Sequence, residues 1–123
     1  MVLVVDPDPE ACAGTALALR EGGFYVLEAS SGPAALDQLV ADAADTALLV
    51  TATVMPDMSG RDLAREVHSL RPAVSVLLIA GPGDERADRT GHDPRYVQSL
   101  VEPFGSDELV QAARRSLAPV TAA

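Results

Sequence analysis

The sequence contains no lysine, so each of its nine basic residues is an arginine. Against 18 acidic residues they leave a formal net charge of −9 at pH 7. A nucleic-acid interface needs a clustered basic face that neutralises phosphates. The nearest arginine pairs, Arg86 with Arg89 and Arg114 with Arg115, lie among acids or near the C-terminus. We therefore expect no nucleic-acid binding by this chain alone.

Long apolar runs are missing as well. No run of the sequence reaches the roughly 20 apolar residues that a helix needs to cross a bilayer. The first ten residues, MVLVVDPDPE, lack the basic region and the small-residue cleavage site of a signal peptide. These absences predict a cytoplasmic protein that makes no contact with a membrane.

Side chains for thiol or zinc chemistry are scarce. Cys12 is the only cysteine, and the two histidines, His68 and His92, are far apart in the sequence. A zinc site needs several nitrogen or sulfur ligands, and a thiol nucleophile needs a base beside it. The sequence therefore predicts neither a zinc site nor a thiol enzyme.

The length of 123 residues is near the common size of one domain. Hydrophobic residues make up 48% of the chain and charged residues 22%, which is a balance typical of globular proteins. We expect one domain over residues 1–118 and a loose C-terminal tail over residues 119–123.

Five short apolar runs are spread along the chain and are bounded by glycine, proline or acidic residues. Such runs are typical of strands that are buried on both faces. Because they alternate with helical patterns, they predict a parallel sheet covered on both sides by right-handed crossovers. The predicted strands are residues 2–5, 25–29, 47–52, 74–80 and 97–101.

Residues that typically begin or end helices lie between these strands and after the last one. Asp8 and Pro9 begin a first helix that runs to about Arg20, and Ser31 begins a second. A third is predicted at residues 60–70 and a last one after Ser106. The segment between strands four and five is rich in charge, glycine and proline, so a fourth helix there is short or disordered. The predicted sheet-facing residues are Ala35, Leu36, Leu39 and Val40, then Leu63, Val67 and Leu70, then Leu109, Val110, Ala113 and Leu117.

Five stretches, in this order and with this spacing, resemble the receiver domain of the two-component response-regulator family: VLVVDPDPE, EASSGPAAL, VMPDMSGRDL, VLLIAG and VEPFGSDEL. The resemblance covers nearly the whole chain. It implies an α/β domain of the flavodoxin-like (βα)5 type with the strand order 2-1-3-4-5. In that family an aspartate at the end of strand three takes a phosphoryl group from a histidine kinase, with Mg²⁺ bound.

The residues that carry this chemistry in the family are mostly replaced here. Phosphoryl transfer to a carboxylate needs the nucleophile, further acids that hold Mg²⁺, and cationic or hydroxyl groups for the phosphoryl oxygens. By resemblance, only Asp6 is kept. The replaced positions are Pro7 for the second acid, Ala52 for the phosphoacceptor four residues before Pro56, Ala80 for a hydroxyl residue, Ser99 for an aromatic switch residue and Glu102 for a lysine.

These replacements predict a pseudo-receiver that is not an enzyme and does not bind Mg²⁺. No shift of the alignment recovers the lysine, because the chain has none. What remains is an acidic pocket formed by Asp6, Asp8 and Glu102. The resemblance also implies a cis bond between Glu102 and Pro103.

Several other acidic residues have both a possible functional role and a plain structural role. Asp57 is a candidate replacement nucleophile, but we favour a solvated loop acid. Asp8 has the chemistry of a metal ligand, but we favour a helix cap. Asp6 and Glu102 are candidates for holding a divalent ion together, although two carboxylates are few for that role.

Threonine and tyrosine residues near these strands also have plain structural interpretations. Thr51 and Thr53 are candidate acceptors for a Ser/Thr kinase, but threonine is common in strands and Thr51 is expected to face inward. Tyr96 is interpreted as part of the core rather than as a switch residue.

Three functional hypotheses follow. The first is an interaction module that binds a protein partner or a second copy, independently of phosphorylation, through the face formed by the fourth helix, the fifth strand and the fifth helix (residues 84–117). The second is a phosphorylatable switch that uses Asp57. The third is a small-molecule or metal sensor that uses the space beside Ala52 and Ala80. The sequence does not name the partner or say whether the chain is one module of a larger regulator.

Overall fold

A parallel five-stranded sheet forms the centre of the structure, which is a computed structural model. The structure describes residues 1–41, 46–81 and 96–117. The strands are β1 (Val2–Val5), β2 (Val26–Ala29), β3 (Leu48–Ala52), β4 (Ser75–Ala80) and β5 (Val97–Val101). Their order in the sheet is β2-β1-β3-β4-β5, and every pairing is parallel. The predicted flavodoxin-like topology is therefore confirmed.

Four helices of the described residues cover this sheet. They are α1 (Pro9–Glu21), α2 (Gly32–Ala41), α3 (Gly60–Leu70) and the C-terminal helix (Ser106–Leu117). The predicted fourth helix and the predicted C-terminal tail lie outside the described residues. None of the described helices has the length and apolar content that would span a membrane.

Successive side chains of the strands point alternately into two separate hydrophobic cores, one on each face of the sheet. Val2 and Val4 of β1 point to the core that α1 and the C-terminal helix cover. Leu3 and Val5 point to the core under α2 and α3. This period of two, with both faces buried in β1, β3 and β4, explains why these three strands appear in the sequence as largely apolar runs.

The helix ends are fixed by the residues that the sequence indicated. Asp8 caps α1 by accepting a hydrogen bond from the Glu10 N–H at 3.0 Å, which confirms its predicted capping role. The Ser31 hydroxyl accepts from the Ala34 N–H at 3.1 Å at the start of α2. Gly23 follows α1 with a φ of +99°, a conformation that glycine adopts without strain.

Three apolar side chains lie outside the core that the sequence predicted for them. The buried residues of α2 are Gly32, Ala35 and Leu39, so the predicted Val40 is about 100° further round the helix and is 69% exposed. Leu70 is the last residue of α3 and is 49% exposed. Tyr25 precedes β2 instead of belonging to it, and it is 82% exposed.

Candidate functional site

The carboxyl ends of four strands meet at one edge of the sheet. Asp6 directly follows β1, Ala52 ends β3 and Ala80 ends β4. Glu102 directly follows β5, and its N–H donates to the carbonyl oxygen of Ala80 at 2.9 Å. In open α/β sheets the working crevice lies at this edge. The fold therefore brings the strand ends that the sequence singled out to the same side of the molecule.

The centre of this edge carries methyl groups. Ala52 ends the central strand β3 and is partly exposed, whereas Ala80 beside it is completely buried. The Thr53 N–H continues the pairing by donating to the carbonyl oxygen of Ile79 at 3.1 Å. The two alanines have no group that can act as a nucleophile, ligate a metal or donate a hydrogen bond from the side chain.

Asp6 is a partly buried carboxylate in a defined local hydrogen bond. Its Oδ1 accepts from the Asp8 N–H at 2.9 Å, and its own N–H donates to the carbonyl oxygen of Ala29 at 3.1 Å. Burial raises the pKa of Asp6, the Asp8 N–H works against that rise, and the negative charge of Asp8 adds to it. Desolvation is thus the largest effect on the pKa of Asp6.

Glu102 stands at the far side of the same edge. It is exposed, and the bond between Glu102 and Pro103 is cis, as the resemblance implied. Asp6 follows β1 and Glu102 follows β5, so β3 and β4 lie between them. Three strand spacings amount to about 14 Å. The carboxylates of the predicted acidic pocket are therefore spread along the edge, with Asp6 and Asp8 at one side and Glu102 at the other.

A Mg²⁺ ion at this edge would need oxygen ligands from the side chains around it. This cation prefers octahedral oxygen ligands, including at least one or two carboxylates that point at it. Here one oxygen of Asp6 accepts the Asp8 N–H and one oxygen of Asp8 accepts the Glu10 N–H. Within residues 1–41, 46–81 and 96–117, no three His, Cys, Asp or Glu side chains come together as a metal site.

The turn from β3 to α3 keeps a compact form beside these alanines. The Gly60 N–H donates to the carbonyl oxygen of Thr53 at 2.8 Å, and the Ser59 hydroxyl caps α3 by accepting from the Asp62 N–H at 3.1 Å. A Cβ on Gly32 would stand 2.4 Å from the sulfur of Met58, so the turn packs tightly on the start of α2. Asp57 is exposed in this turn, as expected for a solvated loop acid.

Comparison with known proteins decides the family. A profile of the response regulator receiver domain matches residues 2–114. The chain belongs to the response regulator receiver domain family. The resemblance found in the sequence is therefore confirmed.

The receiver domain matches proteins of very different length. The C4-dicarboxylate transport transcriptional regulatory protein DctD of Rhizobium meliloti is 33% identical over 94% of this chain and 25% of that protein. The sensor kinase CckA of Brucella abortus is 27% identical over 94% of this chain and 12% of the kinase. The response regulator receiver protein CpdR of Brucella abortus is 27% identical over 94% of this chain and 95% of that protein. The chain thus spans a quarter or less of two of these relatives and nearly all of the third.

Solved structures agree on the fold of the receiver domain. A response regulator receiver domain protein from Clostridium thermocellum superposes with a TM-score of 0.84 at 24% identity, covering 94% of this chain and 92% of that one. A response regulator receiver protein from Sinorhizobium medicae gives 0.80 at 25% identity, with coverage of 94% and 92%.

The remaining candidate residues of the receiver domain, two threonines and the cysteine, are buried in the fold. Thr51 is completely buried, as predicted, and its hydroxyl donates to the carbonyl oxygen of Ala52 at 3.1 Å. Thr53 is also buried. Cys12 is buried in α1, and burial raises the pKa of its thiol to about 11, with the negative charges of Glu28 and Asp6 adding to the rise. These side chains are placed inside the fold, away from solvent.

One pair near β5 was not found from the sequence. The rings of His68 in α3 and Tyr96 are stacked, with centroids 3.9 Å apart and planes within 1°. Nδ1 of His68 is buried and has no hydrogen-bond partner in the described structure. Tyr96 packs on the core under α3, as predicted, and Ser99 lies in β5, partly buried. His68 and Tyr96 are 28 positions apart in the sequence, and no sequence signal indicated the stack.

Proposed function

We propose that this receiver domain acts in the cytoplasm as a protein interaction module of two-component-type signalling, independently of aspartate phosphorylation. The observation that carries the proposal is Ala52. This partly exposed alanine is the last residue of the central strand β3, at the carboxyl-end edge of the sheet. On this proposal the domain is not an enzyme and requires no Mg²⁺. The sequence resemblance implies that Ala52 stands at the position of the family's phosphoacceptor.

The charges around the edge support the same proposal. A phosphoryl group develops negative charge that cations and hydrogen-bond donors must stabilise. Desolvation of its carboxylate raises the pKa of Asp6, and the negative charge of Asp8 adds to the rise. The exposed carboxylate of Glu102 lies at the other side of the edge. It takes the position where the resemblance implies a lysine, and the chain contains no lysine elsewhere that could supply that positive charge. An incoming phosphate would meet repulsion from this edge.

Beryllofluoride tests whether the edge still accepts a phosphoryl-like group. Amide NMR spectra are recorded on the chain with and without Mg²⁺ and beryllofluoride, which mimics a phosphoryl group on a carboxylate. We expect no change at Asp6, Ala52 or Glu102. A saturable shift confined to these three residues would overturn the proposal.

Asp57 is the alternative phosphoacceptor, and the same experiment can be sharpened for it. Its carboxylate is exposed in the β3–α3 turn, one residue after Pro56. If it were the acceptor, shifts would appear around Asp57 in the unmodified chain and vanish in Asp57→Asn. The variant Asp62→Asn serves as the control, since it removes an exposed acid from the adjacent first turn of α3.

We further propose that the interaction surface includes β5 and the C-terminal helix. These elements form the described part of the predicted face over residues 84–117, and residues 84–95 lie outside the described residues. The relatives offer two settings for such a module: transcriptional regulators such as DctD, of which it is a small part, and single receivers such as CpdR. No binding to nucleic acid by this domain is proposed, because its net charge is −9.

A further inference from the structure

The sulfur atoms of the three methionines and the one cysteine differ in their surroundings. Cys12 is 5% exposed and Met55 is 8% exposed. The hydroxyl of Thr51 donates to the sulfur of Met55 at 3.8 Å inside the core. Met1, in contrast, is exposed. Met58 is the one methionine that packs on a core and is also partly open to solvent.

The inner side of Met58 lies against the start of α2. A Cβ on Gly32 would overlap the sulfur and the Cγ of Met58, so the thioether occupies the space that a side chain at Gly32 would need. Gly32 is the first residue of α2 and is buried. Met58 also packs on the core under α2 and α3. The methionine therefore joins the β3–α3 turn to α2 by close apolar contact.

The outer side of Met58 lines an open cavity on the surface of α3. This cavity has a volume of about 410 Å³, which is room for several water molecules of about 30 Å³ each. Its other lining residues are Asp62, Arg65, Glu66 and Ser69. A molecule of the size of water can therefore reach the Met58 side chain from solvent without any opening of the fold.

The charges around the cavity favour a small, uncharged reactant over an anionic one. Asp62 and Glu66 contribute two carboxylates, and the one arginine, Arg65, already donates to Asp62. The chain as a whole carries a net charge of −9. An anionic oxidant would be repelled by this field, whereas hydrogen peroxide is uncharged and little larger than water. The chemistry that suits the exposed thioether is therefore oxygen transfer from a peroxide.

We propose that Met58 is an oxidation site at which a peroxide releases the β3–α3 turn from α2. This inference does not depend on the proposed interaction function. The thioether sulfur attacks one peroxide oxygen, so that an S–O bond forms and the O–O bond breaks. The sulfur loses two electrons to the peroxide, and the departing hydroxide takes up the proton of the transferred oxygen and leaves as water. The product is methionine sulfoxide, which methionine sulfoxide reductases return to the thioether with a dithiol as reductant.

The sulfoxide does not suit the place that the thioether occupies. It is polar and carries one more oxygen atom, and the side of Met58 toward Gly32 has no space for it. Burial of that oxygen against the core without a hydrogen bond costs free energy, so the side chain turns outward into the cavity. The contact with α2 is then lost. Because the turn follows Ala52, the change arises beside the site edge although the alanine side chain has no reactive group.

Peptide mapping by mass spectrometry after graded treatment with hydrogen peroxide measures the order of oxidation. We expect the added mass of one oxygen, about 16 Da, to appear on Met58 and Met1 at least about tenfold faster than on Met55. In urea the three methionines should react at similar rates, which shows that the fold causes the difference. Equal rates for Met55 and Met58 in the folded chain would overturn the proposal.

Amide NMR spectra and the melting temperature of the peroxide-treated chain test the structural consequence. We expect shifts at the amides of Gly32 and Gly60 and a melting temperature lower by at least about 2 °C. Treatment with reductases for both sulfoxide epimers and a dithiol should reverse both changes. Unchanged Gly32 and Gly60 amides after full oxidation of Met58 would refute the release of the turn.

Two leucine variants separate Met58 from the other accessible sulfur. Met58→Leu keeps the apolar bulk without the sulfur, so peroxide should leave its Gly32 and Gly60 amides and its melting temperature unchanged. Met1→Leu should respond to peroxide like the unmodified chain, and the opposite pattern would assign the effect to Met1. Mapping and reductase reversal use the unmodified chain, so they test the proposal even where Met58→Leu does not fold.

Discussion

Gly60 lies so close to Ala52 that a Cβ on the glycine would stand 2.2 Å from the Ala52 carbonyl oxygen. The first residue of α3 is thereby packed directly on the last residue of β3. This contact involves the backbone of Ala52 and is independent of its side chain. The turn beside the site edge can therefore keep its form with an alanine at the end of the strand.

Replacement of Gly60 by alanine should destabilise the fold. The added methyl group meets backbone atoms that cannot move away without shifting β3 or α3, so we expect a loss of about 1–3 kcal/mol in the free energy of unfolding. Urea denaturation measures this loss. In the control Gly14→Ala, the new Cβ in α1 meets nothing within 4 Å, and stability should rise by about 0.5–1 kcal/mol. Equal midpoints for Gly60→Ala and the unmodified chain would contradict the packing.

Much of the fold was predictable because the inner strands β1, β3 and β4 are buried on both faces. The apolar run at β1 and the bounds of α3 and β5 agree with the prediction, since glycine, proline and capping residues mark where elements stop. Helix faces were predicted less well. Val40 was assigned to the core from spacing alone, but the buried stripe of α2 is narrower than the apolar stripe in its sequence.

Cys12 should be unreactive in the folded chain. Its side chain is 5% exposed, and burial, with Glu28 and Asp6 adding negative charge, raises the thiol pKa to about 11. Little thiolate exists at pH 8, and it is shielded from reagents. We expect modification by a disulfide reagent to be at least about a hundredfold slower than that of a free thiol. The same chain in urea provides the control, and rapid labelling of the native chain would contradict the burial.

Asp6 should make stability fall as pH rises. Its folded-state pKa is raised above the ordinary value of 3.8, so the folded state binds the proton more tightly than the unfolded state does. The stabilising contribution of Asp6 is complete below its ordinary pKa of 3.8 and is lost as the pH rises through its raised folded-state pKa. Asp6→Asn keeps an oxygen for the Asp8 N–H but cannot ionise. Its melting temperature, relative to the unmodified chain, should rise between acidic and neutral pH.

Asp57→Asn is the matched control for that pH dependence, because it removes one charge from an exposed loop. Its melting temperature should track that of the unmodified chain across the same range. If Asp6→Asn also tracks the unmodified chain, desolvation of Asp6 is not a factor in stability.

The stack of His68 and Tyr96 should contribute to stability through its rings. Tyr96→Phe keeps the ring and should change the free energy of unfolding little. Tyr96→Leu keeps apolar bulk but removes the stack, which is worth about 0.5–1.5 kcal/mol beyond burial. Denaturant unfolding of both variants separates the two contributions. Equal stability of the phenylalanine and leucine variants would show that the stack contributes nothing.

The sequence indicated which residues end or follow the strands, but it did not indicate how they are arranged. The sequence singled out Asp6, Ala52, Ala80 and Glu102 because each follows or ends an apolar run. That β3 and β4 separate Asp6 from Glu102 depends on the sheet order, and the distances depend on strand spacing. The hydrogen bonds that Arg20 and Gln38 donate to carbonyl oxygens of β2 were also not predictable, because these side chains reach the strand from different helices. Long side chains that bond to backbone groups leave no periodic pattern in a sequence.

Intact mass spectrometry after incubation with acetyl phosphate and Mg²⁺ tests the central claim most directly. A receiver with a working acceptor aspartate, treated in parallel, shows that the reagent is active. For this chain we predict a single unmodified mass, because Ala52 ends β3 where the family resemblance places the acceptor. An added mass of about 80 Da, that of one phosphoryl group, would contradict the account. Its loss in Asp57→Asn would identify the acceptor.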